Sequence, residues 1–275
     1  MRIRGGKFVV FGAAGSVGLA LTTLLSRMGA STIFAVVKDA AQQERLNKIV
    51  MERELLRCFV RVADVRNIEQ IRTFAQSLRN PIVGLSGVIY AVGHCPPGGI
   101  MAEVGTPLDR LPSEKLVIDH DLHVVGLQNV TRGILPLLRF GAHVVVIGSA
   151  VTRLPRFGLP ANLFNKFHAG SYAQAKAAQL ELVRWWQRSP TVKSVGVFVD
   201  YLGFGAIDTP FHRGLPDGQG PPSLISLDEV GARVVWVILG SVPVIKFTRT
   251  VSAPIAKMRW GVFQGIFDKR GLPTG

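Results

Sequence analysis

Residues 8–28 read FVVFGAAGSVGLALTTLLSRM and place three glycines, Gly12, Gly15 and Gly18, between two apolar segments. The first segment is short and apolar, as buried strands are, and the second is long enough for a helix. Glycine permits a tight turn and a close approach of the backbone to a ligand, while a helix N-terminus offers unpaired N–H groups and a positive dipole end. The pattern therefore predicts a strand, a phosphate-binding turn and a helix, in that order.

Further along the chain, short apolar runs alternate with helical patterns. The runs cover residues 8–11, 32–37, 58–62, 87–91, 143–147 and 195–199. Asn67 with Gln70, and Ser226 with Glu229, resemble capping boxes that open helices. This alternation predicts a Rossmann-like, doubly wound parallel sheet of about seven strands with helices on both faces. At 275 residues and 48% hydrophobic content, the chain is expected to form one domain over residues 1–275.

Three segments are expected to lie outside the sheet. Residues 151–170 and 211–225 follow strands at the edge where open α/β sheets bind ligands, and we predict that they are substrate loops. Residues 253–275 form a C-terminal tail that contains cations and aromatic side chains. Packing of this tail on its own subunit or on a neighbour is favoured over contact with a membrane surface.

Charge and hydropathy narrow the classes of partner. The formal net charge is +14 at pH 7, which attracts phosphate-bearing ligands. No basic block is interleaved with base-stacking aromatic residues, so we predict a solvated basic surface and no nucleic-acid partner. The apolar stretches near the N-terminus and over residues 234–245 are interrupted by glycine or proline. A soluble protein without membrane contact is therefore expected.

Cysteine and histidine usage argues against two kinds of site. The two cysteines, Cys58 and Cys95, can build neither a disulfide framework nor a cysteine-rich metal site, and they favour a reducing, cytoplasmic location. The six histidines show no spacing that makes a metal site, so no metal is predicted. His120 and His123 share a predicted helix face and are interpreted as packing or relay groups.

The residues after the second predicted strand bear on which dinucleotide would bind. Dinucleotide sites commonly have an acidic residue there that accepts the ribose hydroxyls. Here the strand ends in Val36-Val37-Lys38-Asp39, and a cationic Lys38 suits a ribose 2′-phosphate, which favours NADP(H) over NAD(H). Two alternatives stay open, because Lys38 could be a surface lysine and Asp39 could take the acidic role.

Tyr172 and Lys176 are four residues apart on a predicted helix and therefore share one face. A nearby ammonium favours phenolate and is expected to lower the pKa of Tyr172 from its usual value of about 10. Such a tyrosine could donate or accept a proton near neutrality. Of the three tyrosines, only Tyr172 has a lysine at this spacing.

Taken in order, these motifs resemble the short-chain dehydrogenase/reductase family over almost the whole chain. They are the glycine turn, Asp64 with Val65, Tyr90-Ala91-Val92-Gly93, Ser149, Tyr172 with Lys176, and Gly205-Ala206-Ile207-Asp208-Thr209-Pro210. The resemblance implies an oxidoreductase that transfers a hydride between a nicotinamide dinucleotide, which Lys38 suggests is NADP(H), and a ketone or alcohol. It also implies a homodimer or homotetramer, and the apolar content of the predicted loops favours a hydrophobic substrate.

The resemblance assigns roles to individual residues. It implies that Tyr172 is the general acid/base, that Lys176 holds the ribose hydroxyls, and that Ser149 hydrogen-bonds the substrate carbonyl oxygen. With Lys38 included, the expected cofactor-binding residues are Gly12, Gly15, Ser16, Val17, Gly18, Lys38, Asp64, Val65, Ala91, Gly93, Tyr172, Lys176, Gly205, Ile207 and Thr209.

Five positions depart from the family pattern. Phe11 and Ser16 stand where the family usually has threonine and glycine, and Tyr90 and Ala91 replace paired asparagines. His123 stands where the family has a helix asparagine that anchors a proton-relay water. Because imidazole can hold a water or carry a proton, His123 is included among the expected catalytic residues.

The spacing between Ser149 and Tyr172 is also unusual, at 23 residues. The excess is attributed to the loop between them, and Thr152 is the alternative to Ser149. These departures motivate a second hypothesis, a catalytically silent nucleotide-sensing or scaffold protein of the same fold. Retention of serine, tyrosine and lysine together favours the enzyme.

Overall fold

Seven strands lie in one sheet among the residues that the computed structural model describes, which are 3–78, 84–94, 112–150, 152, 170–210, 224–240 and 245–247. The strands are β1 (Lys7–Phe11), β2 (Thr32–Val37), β3 (Cys58–Val62), β4 (Leu85–Tyr90), β5 (Leu138–Ser149), β6 (Phe198–Phe204) and β7 (Ile245–Phe247). They are hydrogen-bonded in the order β3-β2-β1-β4-β5-β6-β7, and every neighbouring pair is parallel. The predicted doubly wound parallel sheet of about seven strands is confirmed.

Helices connect successive strands, as parallel pairing requires. They are α1 (Ser16–Arg27), α2 (Ala40–Glu52), α3 (Ile68–Ser77), α4 (Ser113–His120), α5 (Gly126–Ile134), α6 (Gly170–Arg188), α7 (Pro190–Ser194) and α8 (Leu227–Leu239). A five-residue π-helical turn, Asp121–Val125, joins α4 to α5 and is called the π turn below. A 3₁₀ turn, Leu135–Leu137, leads into β5.

The sheet is covered on both faces, as expected. Side chains alternate along a strand, so Phe8 and Val10 of β1 join one core cluster while Val9 and Phe11 join the other. Helices α1, α2 and α8 contribute to the first cluster, and α3, α5 and α6 contribute to the second. Each fully buried aliphatic or aromatic side chain contributes about 1.5–3 kcal/mol, so these two clusters fix the sheet and its helices as one frame.

Local capping sets the start of two predicted helices. The Asn67 side chain accepts hydrogen bonds from the backbone N–H groups of Glu69 and Gln70, and α3 begins directly after it. The Ser226 side chain accepts from the Glu229 N–H at 3.2 Å, and α8 follows. A side-chain acceptor satisfies an N–H group that the first helical turn leaves unpaired.

One strand was placed too early by the sequence pattern. The prediction put a strand at residues 195–199, whereas β6 is Phe198–Phe204. The preceding residues form α7 and a turn at Gly196, whose φ of +64° favours glycine. As a result Tyr201 becomes a buried strand residue that pairs with Val146 of β5.

The carboxyl ends of the central strands meet at one edge of the sheet. The glycine turn follows β1, and Ser149 is the last residue of β5. The strand order reverses direction between β1 and β4, which is where open α/β sheets form a ligand crevice. Most of the predicted loops at 151–170 and 211–225, and the whole tail at 253–275, lie outside the described residues. In the described part of the chain, no helix has the length and apolar character needed to cross a membrane.

Candidate active site

The glycine turn is held by close backbone contacts. Gly12 has a φ of +78°, and a Cβ there would lie 2.6 Å from the Ala91 carbonyl oxygen. A Cβ at Gly18 would lie 2.2 Å from the Gly12 carbonyl oxygen. The N–H groups of Gly12 and Ala13 both donate to the Val36 carbonyl, at 3.1 and 3.2 Å. The turn is therefore wedged between β2 and β4, and only glycine fits at these two positions.

The N-terminus of α1 is suited to an anion. Gly15 is its N-cap, no side chain of the described residues caps the first turn, and no acidic residue lies in that turn. Gly15 is exposed, while Ser16 and Val17 are half-buried. The backbone N–H groups of this turn and the positive helix end therefore suit the pyrophosphate of a dinucleotide. Sequence prediction and structure agree on where these residues lie.

An acidic and basic cluster follows β2 and β3. Asp39 is the N-cap of α2 and accepts a hydrogen bond from Gln42 N at 2.8 Å, so its carboxylate serves the helix. Lys38 keeps 59% of its side chain exposed, with Nζ 3.7 Å from a carboxylate oxygen of Asp39. Lys38 is therefore available to a ligand at this edge.

Asp64 is bound by a residue that the motif analysis missed. Arg66 Nη2 lies 2.6 Å from Asp64 Oδ2, and Arg66 Nε lies 3.1 Å from both carboxylate oxygens. Burial alone would raise the pKa of Asp64, but the hydrogen bonds and charge of Arg66, with the charge of Lys38, lower it. These side chains border a shallow pocket of about 440 Å³, whose lining residues are Asp64, Arg66, Asn67, Ile68 and Asp121.

Ser149 and Tyr172 are brought together despite their long separation in sequence. Their side chains are hydrogen-bonded to each other. The Ser149 N–H donates to the Tyr201 phenol oxygen at 3.1 Å, and Thr152 Oγ1 donates to the Ser149 carbonyl at 2.9 Å. A Cβ at Gly148 would lie 2.0 Å from the Tyr201 ring, so glycine makes room for that ring. The alternative residue, Thr152, thus supports Ser149 from the next turn.

Lys176 lies on the same face of α6 as Tyr172, as predicted. Its side chain is 3% exposed, and Nζ lies 5.7 Å from the centre of the Tyr172 ring. Nζ donates hydrogen bonds to the Ile147 carbonyl at 3.1 Å and to Gln179 Oε1 at 3.0 Å. Burial lowers the pKa of Lys176 to about 7, against an opposing effect from the Asp119 carboxylate.

The expected direction of the Tyr172 pKa shift is wrong. Desolvation raises the pKa of Tyr172 above its usual value, and the hydrogen bond from Ser149 opposes this only in part. The charge of Asp119 and the neighbouring Tyr201 raise it further. Lys176 does not reverse the shift, because its own burial favours the neutral amine. Tyr172 is therefore a protonated phenol at neutral pH.

His123 lies in the π turn beside Tyr172. The two rings meet edge to face, with centroids 5.5 Å apart and planes at 81°. His123 is fully buried, and neither ring nitrogen has a hydrogen-bond partner among the residues that the structure describes. Burial, with the charges of Lys176 and His94, holds the pKa of His123 well below its usual range. His120, which was predicted to share its helix face, is exposed instead because the π turn rotates the chain between them.

Tyr90 braces the π turn from the sheet side. Its hydroxyl donates to the Leu122 carbonyl, and it is fully buried. A Cβ at Gly126 would lie 2.7 Å from both the Tyr90 hydroxyl oxygen and a methyl carbon of Val65. Tyr90, one of the departures from the family pattern, therefore has a structural role that depends on glycine at the start of α5.

The remaining predicted cofactor residues border the same edge. The Ala91 N–H donates to the Phe11 carbonyl at 3.0 Å, and a Cβ at Gly93 would lie 4.0 Å from His123 Cε1. After β6, the chain passes Gly205 and pairs Ile207 with Ile225 in an isolated bridge. Thr209 is buried, and its hydroxyl donates to the Ile207 carbonyl at 3.4 Å.

Four residues of this region were missed by sequence reasoning. Gln179 is three residues after Lys176, a helical spacing that places both on one face and could have revealed it. Arg66 is two residues after Asp64, which was a weaker signal. Tyr201 and Asp119 carried no local signal, because their contacts with Ser149 and Ser171 cross between elements.

Comparisons with known proteins agree with this geometry. A family model described as enoyl-(acyl carrier protein) reductase matches residues 12–221. The 1-deoxy-11-beta-hydroxypentalenate dehydrogenase of Streptomyces arenae is 30% identical over 246 residues, which are 85% of this chain and 78% of the relative. The enzyme of the same name from Streptomyces exfoliatus is 29% identical over 244 residues, which are 85% of this chain and 79% of that relative.

Solved structures share the fold. L-sorbose reductase from Gluconobacter frateurii, complexed with NADPH and L-sorbose, superposes with a TM-score of 0.72 at 18% identity, covering 91% of this chain and 97% of that one. A short chain dehydrogenase from Burkholderia cenocepacia J2315, in complex with NADP, gives a TM-score of 0.68 at 20% identity, covering 98% and 96%. With the family match and the curated relatives, the chain belongs to the short-chain dehydrogenase/reductase family of oxidoreductases.

Proposed function

We propose that this protein is an NADP(H)-dependent oxidoreductase that interconverts a ketone and an alcohol, with Tyr172 as general acid/base. The observation that carries the proposal is the hydrogen bond between the side chains of Ser149 and Tyr172, formed across a 23-residue separation. A serine and a tyrosine that meet at the carboxyl edge of the sheet can both reach one carbonyl oxygen. The names of the two Streptomyces relatives, which denote dehydrogenation of a hydroxy compound, support this substrate class.

The protonated phenol of Tyr172 suits the role of general acid in the reductive direction. Bound NADPH would supply the hydride to the carbonyl carbon. Ser149 donates a hydrogen bond to the carbonyl oxygen and stabilises the charge that develops there. Tyr172, whose raised pKa keeps its phenol protonated at neutral pH, gives that oxygen its proton. The alcohol leaves, and the Tyr172 phenolate takes a proton from solvent water that enters the open site.

Two cations support a preference for NADP(H). Lys38 follows β2 and is largely exposed, and Arg66 follows β3 with 45% of its side chain exposed. A ribose 2′-phosphate adds negative charge that such cations attract. Structural neighbours crystallised with NADP or NADPH are consistent with this choice but share only the fold.

The decisive experiment compares wild type with Tyr172→Phe. NADPH oxidation is followed over a panel of hydrophobic ketones and enoyl thioesters, and NADP reduction over secondary alcohols. We expect Tyr172→Phe to lose about 10²–10⁴-fold in kcat while it still binds NADPH. Gln187→Leu, on the same helix but away from the site, is the matched control. Full activity in Tyr172→Phe would sink the proposal.

A catalytically silent nucleotide sensor is the second candidate. It is favoured by one observation, the buried His123 ring beside Tyr172, whose nitrogens have no hydrogen-bond partner within the described part of the chain. The sensor would be supported by saturable NADPH binding without turnover across the panel, together with equal NADPH binding by wild type and Tyr172→Phe. Turnover that depends on Tyr172 would exclude it.

We further propose that the protein is a homodimer or homotetramer, and light scattering on the purified wild type tests this.

A further inference from the structure

A buried chain of hydrogen bonds ties three elements of the site together. Lys176 Nζ on α6 donates to the Ile147 carbonyl on β5 at 3.1 Å and to Gln179 Oε1 at 3.0 Å. Gln179 Nε2 then donates to the His123 carbonyl in the π turn at 3.0 Å. Gln179 is fully buried. Both ends of its amide are therefore committed to groups at the site.

Two carbonyls of the π turn accept hydrogen bonds from side chains of other elements. In a π turn the backbone bonds run from residue i to i+5, and here the Gly126 N–H donates to the Asp121 carbonyl. The next two carbonyls accept hydrogen bonds from side chains, Leu122 from the Tyr90 hydroxyl and His123 from the Gln179 amide. Buried carbonyls are costly when left unpaired, so both side chains stabilise the turn.

Resting on the proposed function, we infer that Gln179 is a positioning residue that fixes Lys176 relative to Ser149 and His123. Its amide joins the Lys176 nitrogen to the His123 carbonyl in the π turn. His123 stands at the position where the family pattern has an asparagine that anchors a relay water. An ammonium has three donors, and two are used within the protein, which leaves one for a ribose hydroxyl of the cofactor. A neutral amide does not titrate near neutral pH, so Gln179 holds Lys176 without supplying a proton to it.

Several titratable groups lie near Lys176, and of these Asp119 opposes the lowering of its pKa by burial. Tyr172 lies on the same helix, Asp119 on α4 and His123 in the π turn, while Tyr201 on β6 acts on Tyr172. In wild type the amide of Gln179 contributes an acceptor but no charge. A carboxylate at that position would favour the ammonium, and an apolar side chain would remove the acceptor.

The test uses Gln179→Leu, Gln179→Glu and the control Gln187→Leu. Gln187 lies on the same helix, and its Nε2 donates to the Val199 carbonyl at 2.7 Å, so the control also removes a glutamine bond to a backbone carbonyl. NADPH dissociation constants are measured by fluorescence, and thermal midpoints report folding. The Lys176 titration is followed by NMR of protein labelled at lysine Cε, with the resonance assigned by its absence in Lys176→Met.

Gln179→Leu is expected to weaken NADPH binding about tenfold, the loss of one hydrogen bond to a charged group, while Gln187→Leu changes it less than about twofold. The Lys176 midpoint, about 7 in wild type, is expected to fall in Gln179→Leu. It is expected to rise by about one to three pH units in Gln179→Glu.

Equal NADPH affinities and equal Lys176 midpoints in Gln179→Leu and Gln187→Leu, at matched thermal midpoints, would overturn the inference and leave Gln179 a structural residue. An unchanged midpoint in Gln179→Glu would overturn it as well. If wild type binds neither NADPH nor NADH, the proposed function fails, whereas the NMR titration still decides whether Gln179 controls Lys176.

Discussion

The two halves of the site are built in different ways. The half that follows β1 is made of backbone groups, and its contacts connect neighbouring turns such as Gly12 with Gly18. The half around β5, α6 and the π turn is made of side chains from distant parts of the chain, such as Ser149 with Tyr172. Backbone groups keep their chemistry wherever they are placed, whereas Lys176 and Tyr172 acquire shifted pKa values only when buried. Close backbone packing therefore determines the properties of the first half, and the loss of water around buried side chains determines those of the second.

The largest expected effect comes from a substitution that disrupts the packing of the glycine turn in the backbone half. Gly18→Ala places a Cβ 2.2 Å from the Gly12 carbonyl oxygen, which is main chain and cannot rotate away. We expect the free energy of unfolding to fall by about 3 kcal/mol, as for severe overpacking, together with loss of NADPH binding. Urea denaturation and a fluorescence titration measure the two effects.

Gly15→Ala is the matched control, because its Cβ would lie 3.4 Å from the same oxygen. It should change the unfolding free energy by less than about 1 kcal/mol. If Gly15→Ala and Gly18→Ala are equally destabilised, the close approach within the turn is not what holds it.

The next effect sharpens the description of the side-chain half through pH. The pKa of Lys176 is lowered to about 7 in the folded state, so between that pH and its unfolded value the unfolded chain binds more protons. Stability from this group therefore rises with pH. Integrated from pH 7 to pH 9, the gain is about 2 kcal/mol.

Lys176→Met isolates this contribution. Cys58, whose raised pKa of about 11 makes stability fall above the unfolded thiol pKa, titrates in the same range in both proteins and cancels in the difference. Urea melts at the two pH values should show a smaller rise for Lys176→Met than for wild type. Parallel pH profiles would show that Lys176 is not desolvated as the structure describes.

The smallest effect concerns cofactor choice at the rim of the backbone half. Lys38→Ala removes an exposed cation after β2. An exposed charge pair contributes about 1 kcal/mol or less, so NADPH affinity should fall severalfold while NADH affinity is unchanged. Parallel titrations with both dinucleotides measure the ratio. Lys48→Ala is the control, since Lys48 is also exposed and forms an ion pair with Glu44 one turn earlier on its own helix. Equal changes for both dinucleotides would refute the 2′-phosphate role.

Much of the backbone half could be predicted, because its determinants are local. Gly12 and Gly18, between an apolar strand and a helix, predicted a sharp turn, and the structure has the turn at that place. The shared face of Tyr172 and Lys176 was also predictable, since it follows from helical periodicity alone. Asn67 and Ser226 began helices as predicted because a cap acts within one turn.

The side-chain half was predicted less well for an equally physical reason. The shift of β6 to Phe198–Phe204 depends on the turn at Gly196. It brings Tyr201 of β6 into contact with Ser149 of the neighbouring strand β5. Gln179 could be placed on the face of Lys176, but its bond to the His123 carbonyl requires the π turn. The sign of the Tyr172 pKa shift was mispredicted because spacing reveals a neighbouring charge but not the loss of water around it.

Order and periodicity along the chain were enough to establish the parallel sheet, the glycine turn, the family resemblance and the pairing of Tyr172 with Lys176. These features rest on hydrogen bonds and side-chain directions that repeat every few residues. Tertiary structure decided the rest: the meeting of Ser149 with Tyr172, the bracing of the π turn by Tyr90 and Gln179, and the protonation of Lys176. Those features depend on which distant groups exclude water from one another, and burial of that kind exists only once the chain has folded.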